Sequence, residues 1–299
     1  MRLVEEILFR FSRRRLRRLA RAGGQELART LSPEAYAHWR QSDLRRQFQA
    51  DFDVAKVAGQ DILDFGCGEG AMAFYLAELG ARSVTGVDLS AELIERANPS
   101  ARRLSASGPR FVHADNPMKI PCPDGSFDRI CCFDALEHVM HPQAIVREWR
   151  RVLRPAGSVW IWWSPWRHPY GHHLNSLVPL PWVHLLVSER TLVRLAARIY
   201  DDPCFIPRTW DIDPATGSKK PNKWRTGADL SSWLNRLTLR QFRRICRAGG
   251  MDLHVRARGL GSGEGGGLKR AAGKLAELPG VGECFTSYFA ITLTKPADE

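Results

Sequence analysis

The stretch Asp61-Ile62-Leu63-Asp64-Phe65-Gly66-Cys67-Gly68-Glu69-Gly70 decides the fold. Its first half predicts a buried strand, and its second half predicts a glycine-rich turn. About twenty residues later, Val84-Thr85-Gly86-Val87-Asp88 predicts another strand, which ends on a carboxylate. The ends of neighbouring parallel strands lie side by side, where glycines admit a ligand close to the backbone and an acid can accept both ribose hydroxyls. The pattern therefore predicts an α/β protein that binds a nucleoside cofactor.

The glycine turn alone leaves the cofactor open. Gly66, Gly68 and Ala71 also fit the G-x-G-x-x-G/A pattern of dinucleotide sites. Asp64 favours S-adenosylmethionine over NAD, because a carboxylate two residues before the first glycine can face the cationic amino group of a methionine moiety. A pyrophosphate would gain nothing from an anion there.

Further motifs follow in order. A third predicted strand ends in Ala114-Asp115-Asn116, and residues 121–133 form a turn and a fourth strand. Residues 134–139 then open a helix that closes at residues 148–157. This series resembles the class I S-adenosylmethionine-dependent methyltransferases, in particular the small-molecule branch with D-x-G-C-G-x-G, P-x-x-D-x-x-F-D, L-E-H-V and R-V-L-R-P-G-G motifs. One departure is Ala156, where the last motif usually has glycine. We expect it to cap a helix away from the cofactor.

The resemblance covers residues 61–163 and implies a Rossmann-like, seven-stranded sheet with S-adenosylmethionine as cofactor. We expect an N-terminal helical extension (1–60), the cofactor-binding core (61–163), an insertion that shapes the substrate pocket (164–237) and a closing part that completes the sheet (238–299). The insertion would precede the last two strands. Oligomeric state stays open.

The predicted cofactor-binding residues follow the strand ends. Asp88 would bind the ribose, or else cap a helix. Asp115 would accept from the adenine amino group, or else form a turn. Phe133 would lie near the methionine part, or else pack in the core. The full set is Asp64, Gly66, Gly68, Asp88, Leu89, Asp115, Asn116 and Phe133.

His138 is the candidate catalytic residue. It follows the fourth strand near the expected methyl position, and imidazole can remove a proton near neutral pH. The alternative is that His138 only lines the pocket, because alignment alone can supply much of the rate of an in-line displacement.

A cluster of histidines and aromatic residues marks the insertion. Trp166, Tyr170, His172 and His173 predict an acceptor pocket of aromatic character. A metal site with His138 and His141 is the alternative, but adjacent histidines rarely both reach one ion, so we expect no metal.

The net charge is +12, and half of it lies in residues 1–22, which carry eight arginines and two glutamates, a net charge of +6. Apolar residues recur there near helical spacing. One interpretation is a helix packed on the core, and the other is peripheral contact with an anionic membrane surface. Seven scattered cysteines and the lack of an apolar leader or spanning segment suit a cytoplasmic protein.

These observations favour methyl transfer to an oxygen or carbon atom of a small-molecule or lipid-like acceptor. An RNA or other nucleic-acid methyltransferase is the alternative that the basic composition suggests. Against it, Phe133-Asp134-Ala135-Leu136 stands where base-amine enzymes carry an [N/D/S]-P-P-[F/Y/W] loop. A non-catalytic cofactor-binding protein is the third interpretation, which the intact carboxylates disfavour.

Overall fold

A computed structural model describes residues 2–22, 33–103, 108–213, 215–260, 275–276, 278 and 281–297. The chain divides into two compact units. Unit 1 combines Met1–Arg40 with Trp166–Trp233, and unit 2 combines Gln41–Pro165 with Leu234–Glu299. We predicted boundaries after residues 60, 163 and 237. In the structure the chain passes from one unit to the other after residues 40, 165 and 233, and each unit combines two segments that are distant along the chain.

Unit 2 contains a seven-stranded sheet. Its strands are β1 (Asp61–Phe65), β2 (Ser83–Asp88), β3 (Arg110–His113), β4 (Phe127–Phe133), β5 (Leu153–Trp163), β6 (Asp252–Gly259) and β7 (Thr286–Thr294). The spatial order is β3-β2-β1-β4-β5-β7-β6. The first five strands are parallel, and β7 is antiparallel to both β5 and β6. The predicted sheet, with an insertion before its last two strands, is confirmed.

The described helices are α1 (Arg2–Ala22), α2 (Pro33–Asp51), α3 (Ala71–Glu78), α4 (Ala91–Arg103), α5 (Pro142–Val152), α6 (Val183–Leu186), α7 (Glu189–Asp201), α8 (Leu239–Ala248) and α9 (Gly282–Phe285). Local sequence sets several of their ends. Helix α8 begins with a capping box, in which Thr238 accepts from the Gln241 amide and the Gln241 side chain accepts from the Thr238 amide. Helix α5 begins at Pro142, where a missing N–H costs nothing.

Strands β1, β2, β4 and β5 carry buried residues in succession, so both of their faces are covered, as expected of parallel strands with helices on both sides. Neighbouring residues point to opposite faces, so the adjacent Cys131 and Cys132 belong to two different hydrophobic cores. One core contains residues of α2, α3 and α4, including Phe48 and Leu76. The other contains residues of α5 and α8, including Trp149.

Unit 1 has its own core around α7, whose buried residues include Leu192, Leu195 and Ile199. One face of α1 packs against this core through Leu8 and neighbouring apolar residues. Ion pairs add to the packing. Arg194 contacts Glu5 at 3.0 Å, Arg198 contacts Glu6 at 2.7 Å, and Arg13 contacts Asp202 at 3.0 Å. The packing interpretation of residues 1–22 is therefore correct for one face of the helix. No described helix is both long and apolar enough to cross a bilayer.

Ala156 lies inside β5 rather than at a helix end, which corrects the expectation from its motif. Its φ is 61°. This left-handed conformation costs a non-glycine residue about 1–2 kcal/mol. The next residue, Gly157, has no room for a side chain, because a Cβ there would lie 2.8 Å from the Arg154 carbonyl oxygen.

We predict that Ala156→Gly raises the free energy of unfolding by about 0.5–1 kcal/mol, because relief of the left-handed strain exceeds the entropy that glycine adds to the unfolded chain. Urea unfolding measures the change. The control is Ala77→Gly in α3, where glycine should destabilise the helix by about 1 kcal/mol. A loss of stability at both positions would contradict the strain at residue 156.

Candidate functional site

The glycine turn after β1 approaches two neighbouring strand ends. Gly66 and Cys67 donate backbone hydrogen bonds to the Val87 carbonyl at 2.8 and 3.1 Å. Gly66 has φ 74°, and a Cβ on it would lie 2.6 Å from the Cβ of Ala135. Both the conformation and the contact require glycine. Gly68 has φ 53°, but a Cβ there would meet open space.

Asp88, at the end of β2, holds this turn in place. One carboxylate oxygen accepts from the Gly68 amide at 2.9 Å, and the other accepts from the Ser90 amide at 2.8 Å. Ser90 itself caps α4, because its hydroxyl accepts from the Leu93 amide at 3.3 Å. Ser90 therefore supplies the side chain that caps α4, and ribose binding by Asp88 stays a prediction. Each carboxylate oxygen retains a second acceptor position, so Asp88 can still bind a hydroxyl.

A cavity of about 560 Å³ opens at the carboxyl ends of the parallel strands. It lies where Phe65 ends β1, Asp88 ends β2, Ala114 follows β3 and Asp134 follows β4. Its lining residues are Phe65, Gly66, Val87, Asp88, Leu89, Ser90, Ala114, Asn116, Pro117, Lys119, Asp134, Ala135, His138, Val139, Met140, His141 and Ile145. This is the place where α/β sheets bind their ligands.

Four of the predicted cofactor residues line the cavity: Gly66, Asp88, Leu89 and Asn116. The other four are not among its lining residues. Asp64 is buried within β1, Gly68 is bonded to Asp88, Asp115 is exposed, and Phe133 packs against the rings of Phe48 and Phe52 at 5.9 and 5.5 Å between centroids. For these four, a cofactor contact stays a prediction.

The segment after β4 places His138 at the cavity. Asp134 has φ 50°, a conformation that is uncommon for a non-glycine residue and is concentrated at functional sites. A 3₁₀ turn over Leu136–His138 follows, in which the side chain of Glu137 is buried and that of His138 is exposed. His138 lines the cavity, as the sequence predicted.

Sequence reasoning missed several lining residues. Ser90, Pro117, Lys119, Met140, His141 and Ile145 all line the cavity. Ser90, Pro117 and Lys119 lie within six residues after a parallel strand, so the rule that ligands bind at strand carboxyl ends would have found their loops. Met140, His141 and Ile145 lie seven to twelve residues after β4. The rule would not have indicated which side chains point inward.

The predicted acceptor residues of the insertion lie in unit 1. His172 is fully buried, its Nδ1 accepts from the Leu174 amide at 2.9 Å, and burial, with a smaller effect of His184, lowers its pKa to about 3. His184 bonds the Trp166 carbonyl at 2.7 Å, and its ring lies 4.8 Å from that of Trp166. His172 is therefore neutral at physiological pH and a weak base. Contact of Trp166, Tyr170, His172 and His173 with an acceptor stays a prediction.

The buried thiols are not suited to nucleophilic attack. Burial raises the pKa of Cys67, Cys131 and Cys132 well above its usual range, and the Asp64 carboxylate adds to the effect at all three thiols. A thiol must ionise to act as a nucleophile. These three thiols are therefore poor nucleophiles.

Comparison with known proteins identifies the cavity-bearing region. Residues 63–161 match the family described as a methyltransferase domain. The chain is 37% identical over 113 residues to a ubiquinone biosynthesis O-methyltransferase of Albidiferax ferrireducens, a match that covers 37% of this chain and 43% of the relative. It is 35% identical over 102 residues to the 27-O-demethylrifamycin SV methyltransferase of Amycolatopsis mediterranei, covering 34% of this chain and 38% of the relative. The chain thus spans less than half the length of these relatives.

The fold has a match in a solved structure. An S-adenosylmethionine-dependent methyltransferase from Mesorhizobium loti aligns with a TM-score of 0.50 at 18% identity, over 84% of this chain and 96% of the other. This likeness concerns the fold alone. The domain match identifies residues 63–161 as a methyltransferase domain, and the strand order and the solved structure show the seven-stranded sheet of the class I S-adenosylmethionine-dependent methyltransferases. The cofactor of this class is S-adenosylmethionine.

The residues at the cavity fit this cofactor. The volume of the cavity lies within the range of about 300–1,000 Å³ that small-molecule sites occupy. Asp88 would hold the ribose hydroxyls, and apolar residues such as Val87, Ala114 and Ile145 would pack against the nucleoside. The open space at the Gly68 Cα leaves room for close approach of a ligand to the backbone.

We predict that Asp88→Ala weakens S-adenosylhomocysteine binding by about 1–3 kcal/mol, because hydrogen bonds to a charged acceptor are lost and the glycine turn loses its anchor. Isothermal calorimetry measures the affinity. The control is Asp124→Ala, since that carboxylate is exposed and pairs with Arg151 away from the cavity lining. Equal affinity in both variants would contradict the role of Asp88.

Proposed function

We propose that this protein transfers a methyl group from S-adenosylmethionine to an oxygen or carbon atom of a small-molecule or lipid-like acceptor. The observation that carries the proposal is the joint lining of one cavity by Asp88, Gly66 and His138. A nucleoside-binding carboxylate and a proton acceptor thereby share one space. The two O-methyltransferase relatives support oxygen as the methylated atom.

The chemistry divides between the cofactor and the chain. When bound, S-adenosylmethionine supplies an electrophilic methyl group on a sulfonium. Asp88 binds and orients the nucleoside, and Asp64 provides the anion next to the glycine turn. An acceptor hydroxyl must lose its proton as it is methylated, and His138 accepts that proton. Transfer needs alignment of the two reactants, which the cavity supplies by excluding other orientations.

We predict that His138→Ala lowers turnover by roughly 10²-fold or more while affinity for S-adenosylhomocysteine stays nearly unchanged, because a base acts on the chemical step. The assay measures release of S-adenosylhomocysteine with an aromatic diol, an alkyl-chain phenol and an aliphatic alcohol as probes. His141→Ala is the control, since His141 lines the same cavity. A raised KM with an unchanged pH–rate profile would assign His138 to the pocket wall and not to catalysis.

We also propose that α1 contacts an anionic membrane surface peripherally, with the protein in the cytoplasm. The face of α1 opposite the packed one exposes an apolar stripe, in which Ile7 is 44% and Phe11 is 58% exposed, with Leu3 and Val4 beside them. Exposed arginines continue this face toward the helix end, namely Arg10, Arg14, Arg17, Arg18 and Arg21.

Apolar and cationic groups on one helix face suit a bilayer interface better than free solvent. Burial of an apolar side chain contributes about 1.5–3 kcal/mol when it is complete, and each arginine near an anionic leaflet contributes about 1 kcal/mol. Helix α8 provides a contrast within the same chain. It also exposes four arginines, Arg240, Arg243, Arg244 and Arg247, but its large apolar residue Phe242 is fully buried.

We predict that the protein floats with vesicles of phosphatidylglycerol and phosphatidylcholine, and that added salt reduces this binding. Replacing Ile7 and Phe11 with Gln should lower the bound fraction at least fivefold, and so should replacing Arg14, Arg17, Arg18 and Arg21 with Gln. The matched control replaces the four α8 arginines with Gln and should change binding by less than twofold. If the α8 variant lost as much vesicle binding as the α1 variants, binding would depend on the total positive charge of the protein and not on α1.

A further inference from the structure

The turn that contains His138 is stabilised by hydrogen bonds from a residue distant in the sequence. A single 3₁₀ turn satisfies few of its own backbone groups, so its carbonyls need other partners. The Val139 amide donates to the Leu136 carbonyl at 3.1 Å, and this hydrogen bond closes the 3₁₀ turn Leu136–His138. The remaining partners come from a residue about one hundred positions later in the sequence.

That residue is Asn235, which belongs to unit 2 and lies two residues after the Trp166–Trp233 segment of unit 1 ends. Its side-chain Nδ2 donates to the Leu136 carbonyl at 2.7 Å and to the Val139 carbonyl at 2.8 Å. Its backbone amide donates to the Glu137 carbonyl at 2.9 Å. One residue thus binds three carbonyls of the four-residue turn, and His138 lies between two of them.

Asn235 is itself fixed in place. Its Oδ1 accepts from the Leu237 amide at 3.2 Å, so all the polar groups of its side chain have partners. Leu234 and Leu237, on either side along the chain, are buried. An asparagine suits this position because it offers two N–H donors and one acceptor on a short side chain. Aspartate has the same shape, but it has no donor and would face two carbonyl oxygens.

We propose that Asn235 is a positioning residue that aims His138 into the cavity by fixing the carbonyls around it. Its effect on catalysis rests on the proposed function, because it acts through His138. Its effect on the orientation of the His138 ring does not. The two effects need separate measurements, so that failure of one is distinguishable from failure of the other.

The experiment compares Asn235→Asp with Asn222→Asp in the full chain. Asn222 is the matched control in unit 1, since its Nδ2 donates to the Ala197 carbonyl at 2.9 Å and its Oδ1 accepts from the Trp224 amide at 3.1 Å. Nuclear magnetic resonance with ¹³C-labelled histidine reports the His138 ring, whose signal is identified by its loss in His138→Ala. Release of S-adenosylhomocysteine with the alkyl-chain phenol reports turnover.

The expected result is that Asn235→Asp shifts or broadens the His138 signal and lowers kcat at least tenfold, with a smaller change in the KM for S-adenosylmethionine. Asn222→Asp should leave the His138 signal in place and kcat within twofold. Asn235→Ser, which keeps the backbone bond and one hydroxyl donor, should give an intermediate kcat, and it serves as the test if the aspartate variant does not fold.

An unchanged His138 signal in a folded Asn235 variant would overturn the positioning role. If Asn235→Asp shifts the His138 signal but lowers kcat no more than Asn222→Asp does, the positioning role stands and the assignment of His138 as the base is overturned. If wild-type protein releases no S-adenosylhomocysteine with any probe, the proposed acceptor class is at fault. The resonance measurement then still decides the role of Asn235.

Discussion

The carboxylate of Asp88 and the glycine turn depend on each other, and the site is built around this contact. Asp88 accepts from the Gly68 and Ser90 amides, so it joins the end of β1 to the end of β2 and to the start of α4. The turn can come this close only because Gly66 has no Cβ to meet Ala135, which follows β4. Three neighbouring strand ends are therefore fixed relative to one another by one acid and one missing side chain.

The cavity and its candidate base follow from that arrangement. Since Ala135 lies against Gly66, the segment after β4 must turn sharply, and Asp134 adopts φ 50° to do so. The next turn presents His138 to the same space that Asp88 lines. Asn235, near the carboxyl end of the predicted insertion, donates hydrogen bonds to carbonyls of this turn and so completes its geometry.

The sequence predicted those features that depend on local patterns. The strand ending at Asp88, the glycine turn and the capped helix α8 all lie where their motifs indicate, because neighbouring residues determine them. The sequence did not predict contacts between segments that are distant along the chain. Nothing near Asn235 indicates that it binds the turn of His138, and the arginine-rich pattern of residues 1–22 does not reveal that Glu5 pairs with Arg194. Backbone strain at Ala156 was also hidden, because alanine gives no sign of a left-handed conformation.

The central claim is that the cavity at the strand ends is an S-adenosylmethionine site. A crystal structure of the protein with S-adenosylhomocysteine, grown in the presence of competing NAD, tests it most directly. We predict that S-adenosylhomocysteine occupies the cavity, with its ribose hydroxyls hydrogen-bonded to the Asp88 carboxylate and its amino acid part toward Asp64. Density for NAD in the cavity, or for S-adenosylhomocysteine at another place on the protein, would contradict the account.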